Sequence, residues 1–229
     1  LHIKEIIRKI LYYFFDMKNY FNEELGENLR IYLADEEAVK LLDLDPEQFD
    51  VVENTDAADY LYDGEALRTL AGKKYHKKKN HVNAFMKEYE GRYEYRTLCC
   101  SDRGDMWKFL DRWRAMKGAQ MEGTLDPEVE GIHSILNQCS DLGVRMGGIY
   151  VDGQMEAFTM GSYNEAEDMA IIHIEKANPE IRGLYPFINQ QFLVHEFPTV
   201  SLVNREDDVG LPGLRKAKQS SNPIGIAKK

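Results

Sequence analysis

The chain has 229 residues, of which 43% are hydrophobic and 30% charged, and this composition is typical of a globular protein rather than a disordered one. Its net charge of −10 argues against a protein that coats nucleic acid with its whole surface. No apolar run approaches the roughly 20 residues that a membrane span needs, so no transmembrane segment is predicted. The cysteines, Cys99, Cys100 and Cys139, include no CxxC pair, which predicts reduced thiols, no metal site and a cytoplasmic location. Because Leu1 is not a methionine, we expect the chain to begin inside a larger protein.

In the first part of the chain, the pattern of apolar residues predicts helices that alternate with short strands. Apolar residues spaced three and four apart predict a helix over residues 3–21, and Asp35 is placed to cap a second, shorter helix. Alternating patterns predict strands over residues 28–34 and 49–53. A further helix is expected over residues 64–70.

The middle of the chain continues this alternation. Val82, Phe85, Met86 and Tyr89 form a helical apolar stripe, a strand is predicted over residues 93–98, and a helix over residues 102–116. Residues 117–120 have no clear character and are interpreted either as a loop or as a place where residues are missing from the sequence.

The second half has the sharpest signals. Asp126 and Pro127 are placed to begin a helix, and Asp152-Gly153 lies between two apolar runs as a hairpin turn. The remaining elements are a strand, a helix, a strand, a helix and a strand, over residues 169–174, 179–196, 199–203, 211–219 and 224–227. A hairpin followed by β-α-β-α-β predicts an α/β fold with a mixed sheet and helices packed on it.

A run of five lysines in seven residues is the strongest positive cluster of this acidic chain. On a helix, Lys74, Lys77 and Lys78 would share one face with His81. The positive electrostatic field of these lysines would suit the phosphates of a donor. The alternative is a solvated helix face without a ligand, and the pattern does not separate the two.

A dense polar segment follows the strand predicted over residues 199–203. Asn204, Arg205, Glu206 and Asp207 lie where ligands bind in open α/β sheets, outside the carboxyl end of a strand. Glu206 or Asp207 could bind an ammonium group or act as a base. The same charges could also serve only to solvate a loop and cap the basic helix that carries Arg215 and Lys218.

The strand around His173 is a third candidate. Strict alternation would place Ile171, His173 and Glu175 on one face, where His173 could act as an alternative base. A single histidine on a strand is also often structural. No Walker loop, GxGxxG, HExxH or GxSxG motif occurs, so no covalent nucleophile is predicted.

These three segments together resemble the DUF2156 family, which is similar to the C-terminal domain of phosphatidylglycerol lysyltransferases. The resemblance rests on residues 72–81, 173–176 and 204–218. It implies a GNAT-like fold (that of acyl-CoA N-acyltransferases) in two tandem halves, which we place at residues 1–98 and 99–229. The lysyltransferase relatives move an aminoacyl group from a charged tRNA to a lipid head group, and these substrates do not carry over to this chain.

The chain departs from the family pattern at several points. Lys78-Lys79 stands where the family tends to have Lys-Arg, and a tyrosine is expected near Ser221. The Gly-rich pyrophosphate loop of CoA-using GNAT enzymes is missing, as is the membrane-spanning part of the lysyltransferases. The missing loop favours an aminoacyl-tRNA-like donor over a CoA thioester.

The sequence therefore predicts a cytoplasmic transferase that moves an acyl or aminoacyl group directly onto an amine or hydroxyl of a small molecule or lipid head group. Glu206, Asp207 and His173 are the predicted catalytic residues. The predicted substrate-binding residues are Lys74, Lys77, Lys78, His81, Glu175, Asn204, Arg205, Arg215 and Lys218. The alternatives are an acetyl-CoA-dependent N-acyltransferase, a non-catalytic binding module on a degenerate transferase fold, and a peripheral protein whose lysines contact anionic lipid.

Overall fold

The computed structural model describes residues 2–117 and 125–228. Its contacts form two compact units. The first contains the chain up to Ala58, together with Asp207–Gly210 and the residues from Ala227 onward, and the second contains Asp59–Glu206 and Leu211–Ile226. The domain boundary at residues 98/99 stays a prediction.

The first unit is built mainly from helices α1 (His2–Asn19) and α2 (Glu36–Leu42). Asp35 caps α2 as predicted, because its carboxylate accepts the Ala38 amide at 2.7 Å. The strands predicted over residues 28–34 and 49–53 are wrong, since neither segment pairs with another strand. An alternating pattern becomes a strand only when a partner satisfies its backbone groups.

The second unit holds the remaining α-helices and, apart from Ala227 at the end of the last strand, all strands of the described chain. The helices are α3 (Gly64–Thr69), α4 (His76–Glu88), α5 (Arg103–Lys117), α6 (Leu125–Asn137), α7 (Leu184–Glu196) and α8 (Pro212–Gln219). The strands are β1 (Asp59–Asp63), β2 (Tyr93–Leu98), β3 (Arg145–Val151), β4 (Gln154–Asn164), β5 (Met169–Ala177), β6 (Leu202–Asn204) and β7 (Gly225–Ala227).

The strands form one mixed sheet in the order β2-β3-β4-β5-β6-β1-β7. Pairing is antiparallel from β2 to β5 and between β6 and β1, whereas β5 and β6 run parallel. The parallel ladder is short: it starts at Met169 and Leu202 and ends at Ile171 and Asn204. Beyond that point the backbones of β5 and β6 have no ladder pairs.

Helices cover the two faces of the sheet over two buried apolar clusters. Consecutive residues of β3 alternate between them: Ile149 belongs to the cluster under α4 and α7, and Tyr150 to the cluster under α5 and α6. On β5, however, Ile172 lies in the first cluster and Ile174 in the second, although they are two residues apart.

A β-bulge at His173 explains this change of face. Met160 of β4 pairs with Ile174 and the next residue, Gly161, pairs with Ile172, so His173 is an extra residue in its strand. The predicted alternation is therefore wrong beyond the bulge, because residues on either side of His173 are out of phase. The bulge also reorients the His173 side chain.

Several boundaries differ from the prediction. The helix predicted from residue 179 begins at Leu184, and Lys73–Tyr75 form a separate 3-10 turn before α4. Residues 118–120 of the predicted loop and the side chain of Asp126 lie outside the described part of the structure. The hairpin turn at Asp152-Gly153 is confirmed, with both residues at positive φ.

The cysteines differ from the expectation of free thiols. Cys100 and Cys139 form a disulfide with their Cα atoms 6.0 Å apart, while Cys99 is a free and exposed thiol. Cys139 is buried in the cluster under α5 and α6, as its helical apolar pattern predicted. Cys100 and Cys139 are 39 positions apart in the sequence. Their spacing gives no indication that packing brings them together.

Candidate functional site at the divergence of two parallel strands

The centre of the site is a contact between His173 and Glu206. The Nδ1 atom of His173 lies 2.8 Å from the Oε1 atom of Glu206, just beyond the end of the ladder between β5 and β6. Both side chains remain accessible, with 31% and 42% of their areas exposed. Two of the three predicted catalytic residues are therefore brought together, at the carboxyl ends of strands where α/β proteins commonly bind ligands.

The backbone of Glu206 is held in an uncommon conformation. Its φ is 56°, in the left-handed region that a residue with a Cβ rarely adopts. The side chain of Asn204 accepts the Glu206 amide at 2.6 Å, and the amide of Tyr60 donates to the Glu206 carbonyl at 3.2 Å. Asn204 is itself buried and donates to Asp59 at 2.9 Å. These contacts hold the backbone of Glu206 in this conformation.

The second ring nitrogen of His173 is also occupied. Its Nε2 atom lies 2.8 Å from the Oγ atom of Ser162, a half-buried residue of β4. Glu206, His173 and Ser162 thus form a continuous carboxylate–imidazole–hydroxyl chain.

A second polar contact crosses the same gap between the strands. Arg205 donates to Glu175 at 2.9 Å, and both side chains are largely buried. The second oxygen of the Glu175 carboxylate accepts the side-chain amide of Asn189 from α7 at 2.7 Å. Glu175 is therefore engaged at both oxygens.

Lys78 brings a further positive charge to Arg205. Its Nζ atom lies 2.8 Å from the Oγ atom of Ser221, and Arg205 donates to the same oxygen at 3.2 Å. Burial lowers the pKa of Lys78 to about 8, with repulsion from Arg205 adding to the effect and attraction to Glu175 opposing it. Near neutral pH, two cations therefore lie beside the single carboxylate of Glu175.

Lys218 has a different position from the one predicted. It is buried, and its ammonium donates to the Arg205 carbonyl at 2.5 Å, while its own carbonyl accepts the Tyr62 hydroxyl. These bonds attach α8 to the exit of β6. Like Asn204, Lys218 orients the backbone that carries Arg205 and Glu206.

The rest of the lysine run is divided between two local structures. Lys74 precedes α4 in the 3-10 turn, so the predicted common helix face holds only Lys77, Lys78 and His81. Lys77 is exposed, and His81 lies 3.5 Å from Arg182 through its Nδ1 atom. Of the four predicted donor-binding residues, Lys78 bonds to Ser221, the hydroxyl to which Arg205 also donates.

Asp207 and Arg215 are the remaining predicted residues. Asp207 belongs to the first unit, where its carboxylate accepts the Val209 amide at 3.1 Å and closes a turn. Arg215 is half-buried in the first turns of α8, and its amide donates to the Leu211 carbonyl. Their predicted roles stay predictions.

The sequence reasoning missed Ser162, Ser221 and Asn189. No motif surrounds Ser162, and its position depends on the bulge in β5. Of these three residues, Ser221 was the one with some indication in the sequence, because the family pattern expects a tyrosine near it.

The chain matches a known family. The model described as "Phosphatidylglycerol lysyltransferase, C-terminal" matches residues 16–229, and the chain belongs to this family. The predicted DUF2156 membership and GNAT-like α/β fold are confirmed. Family and fold therefore relate the chain to transferase domains.

Individual relatives agree with this assignment. An uncharacterized protein of Mycoplasmoides gallisepticum is 25% identical over 208 residues, which cover 90% of this chain and 66% of that protein. This chain thus spans just under two thirds of that relative's length. A crystal structure of a conserved protein of unknown function from Bacteroides thetaiotaomicron has 28% identity and a TM-score of 0.85, covering 93% of this chain and 72% of that one.

A third comparison shows the fold alone. The DUF2156 domain of a lysylphosphatidylglycerol synthetase-type protein from Agrobacterium fabrum has a TM-score of 0.56 at 15% identity, covering 77% of this chain and 59% of that chain. None of the helices in the described residues is long and apolar enough to cross a membrane. In the same residues, no group of three or more His, Cys, Asp and Glu side chains could hold a metal ion.

Proposed function

We propose that this chain transfers an acyl or aminoacyl group from a phosphate-bearing donor to an amine or hydroxyl acceptor. The observation that carries the proposal is the contact between His173 and Glu206, beside the cations Lys78 and Arg205, where β5 and β6 diverge. The family relation to lysyltransferase domains supports the same reaction class.

In this proposal His173 is the base and Glu206 orients it. A carboxylate that accepts from one ring nitrogen holds the other nitrogen in its basic form and stabilises the imidazolium that forms when a proton is taken up. Asn204 and Lys218 are positioning residues, because they hold the backbone of Glu206 and Arg205.

The donor's anionic part would bind at Lys78 and Arg205. Both oxygens of Glu175 already accept hydrogen bonds, one from Arg205 and one from Asn189. This single carboxylate therefore balances the positive charge of Lys78 only in part. A phosphate or carboxylate of the donor would supply the missing negative charge. The exposed Lys77 extends this positive field along α4 and suits a polyanion such as the end of a charged tRNA.

The start of α7 supports a donor other than a CoA thioester. Gly183, which precedes the helix, approaches α4 so closely that an added Cβ would lie 2.2 Å from the His81 carbonyl oxygen. The turn before α7 is thus packed against the backbone of α4. In the CoA-using GNAT pattern this turn carries the pyrophosphate loop that this sequence lacks.

Donor binding is tested by titrating the purified protein with an aminoacyl-tRNA and, separately, with acetyl-CoA. Lys78→Glu should weaken binding of aminoacyl-tRNA at least tenfold, whereas Lys87→Glu, on an exposed position of the same helix, should have a much smaller effect. Equal affinities of the two variants would refute the donor site. Tight binding of acetyl-CoA with no binding of aminoacyl-tRNA would replace the proposed donor by a CoA thioester.

A further inference from the structure

Both ring nitrogens of His173 are already bonded within the chain. Nδ1 lies 2.8 Å from Glu206 and Nε2 lies 2.8 Å from the hydroxyl of Ser162. An external acceptor would have to displace the Ser162 hydroxyl before it could give its proton directly to Nε2. In this arrangement the hydroxyl placed to lose a proton to His173 is that of Ser162.

The local backbone is built to produce this contact. The bulge inserts His173 as an extra residue opposite β4, next to the pair that Ser162 forms with Ile171. Gly161 permits the irregular pairing, because an added Cβ would lie 2.7 Å from the Ile171 carbonyl oxygen. Bulges commonly reorient a side chain beside an active site.

We propose that Ser162 is a nucleophile that carries the acyl group as a seryl ester between donor and acceptor. A nucleophile within hydrogen-bond reach of a base that a third group orients is the arrangement by which hydroxyls are activated on unrelated folds. Ser162 is half-buried, and His173 and Glu206 are partly exposed. A substrate can therefore reach these three side chains. The proposal deepens the proposed function, on which it rests, by replacing direct transfer with two displacements.

The two displacements balance in atoms and protons. In the first, Ser162 Oγ bonds to the carbonyl carbon of the donor ester, its proton moves to His173 Nε2, and the donor's ester C–O bond breaks as the leaving oxygen takes that proton. In the second, the acceptor amine or hydroxyl attacks the seryl ester and gives its proton to His173. Ser162 Oγ then leaves and recovers the proton, so neither oxidant nor metal is consumed.

An alkyl fluorophosphonate, which reacts with activated serines, tests the proposal directly on the full chain. Intact mass spectrometry should show one adduct, and peptide mapping should place it on Ser162. Ser162→Ala should abolish the adduct, and His173→Ala or Glu206→Gln should slow its formation at least tenfold. Ser140→Ala, which removes an exposed serine hydroxyl near Asp141, should leave labelling unchanged.

A second variant keeps the test decisive if Ser162→Ala does not fold. Ser162→Cys retains a nucleophile and should form a thioester with p-nitrophenyl acetate, releasing one equivalent of p-nitrophenol in a burst. An unlabelled wild-type protein, or an adduct at another residue, would overturn the nucleophile. If Ser162→Ala binds and deacylates aminoacyl-tRNA at the wild-type rate, only the two-step route fails and direct transfer stands. If Ser162 is labelled but aminoacyl-tRNA does not bind, the proposed donor fails instead.

Discussion

The imidazole of His173 and the carboxylate of Glu206 meet at 2.8 Å across two parallel strands whose backbone pairing has already ended. The last ladder pair joins Ile171 to Asn204, and His173 and Glu206 each lie two residues beyond it. In the proposed function, a substrate binds where the two strands diverge and the contact supplies an oriented base.

Removal of the imidazole should strongly reduce transfer. We expect His173→Ala to slow the deacylation of bound aminoacyl-tRNA by at least about 100-fold, since a positioned general base contributes roughly 10²–10⁴-fold. His195→Ala is the matched control, because His195 stacks on Tyr95 at the far end of α7. Equal rates for the two variants would exclude His173 as the base.

The left-handed backbone at Glu206 allows its two roles to be separated. Glu206→Ala and Glu206→Gly both remove the carboxylate and should reduce activity equally. The glycine variant should be more stable than the alanine variant by about 1 kcal/mol, because only glycine adopts this φ without steric cost. Urea denaturation of the two variants measures the difference, and equal stabilities would contradict the strained backbone.

The lowered pKa of Lys78 predicts a specific pH dependence. Above about pH 8 the folded protein loses a proton that the unfolded chain keeps until about 10.5, so this residue's contribution to stability rises with pH in that window. Below pH 8 the charge is present in both states and its burial opposes folding. The free energy of unfolding of the wild type, relative to Lys78→Arg, should therefore increase between pH 8 and 10. A constant difference would show that Lys78 keeps its ordinary pKa.

Loss of Glu175 should destabilise the protein more than loss of an exposed carboxylate. Glu175→Gln leaves Arg205 largely buried beside Lys78 without its counter-ion, at a cost of about 3 kcal/mol. Glu94→Gln breaks the exposed pair with Arg96 and should cost less than about 1 kcal/mol. Thermal or urea denaturation measures both, and similar losses would mean that the contact of Glu175 with Arg205 behaves as a surface ion pair.

The cysteine pairing can be checked by counting thiols. The unfolded, unreduced protein should show one reactive thiol, that of Cys99, and three after reduction. Cys99→Ser should remove the single thiol. Three thiols before reduction would show that Cys100 and Cys139 are not joined in the isolated protein.

Local patterns were sufficient for much of the fold. The hairpin at Asp152-Gly153, the capping of α2 by Asp35 and the strands over residues 93–98 and 169–174 follow from turn chemistry and periodicity, which depend only on adjacent residues. The same reasoning failed over residues 28–34 and 49–53, because an alternating segment contains no information about whether a partner strand exists.

The sequence by itself determined the family, the mixed α/β class and the polar segments from which the site is built. Only the tertiary structure decided which of these residues meet. Glu206 reaches His173 over 33 residues, and Lys78 reaches Ser221 over 143. Such contacts depend on strand order, on where a ladder ends and on one inserted residue in β5, and none of these leaves a periodic trace in the chain. The bulge reversed the predicted faces of β5 and brought Ser162 to a histidine that local patterns could only place on a strand.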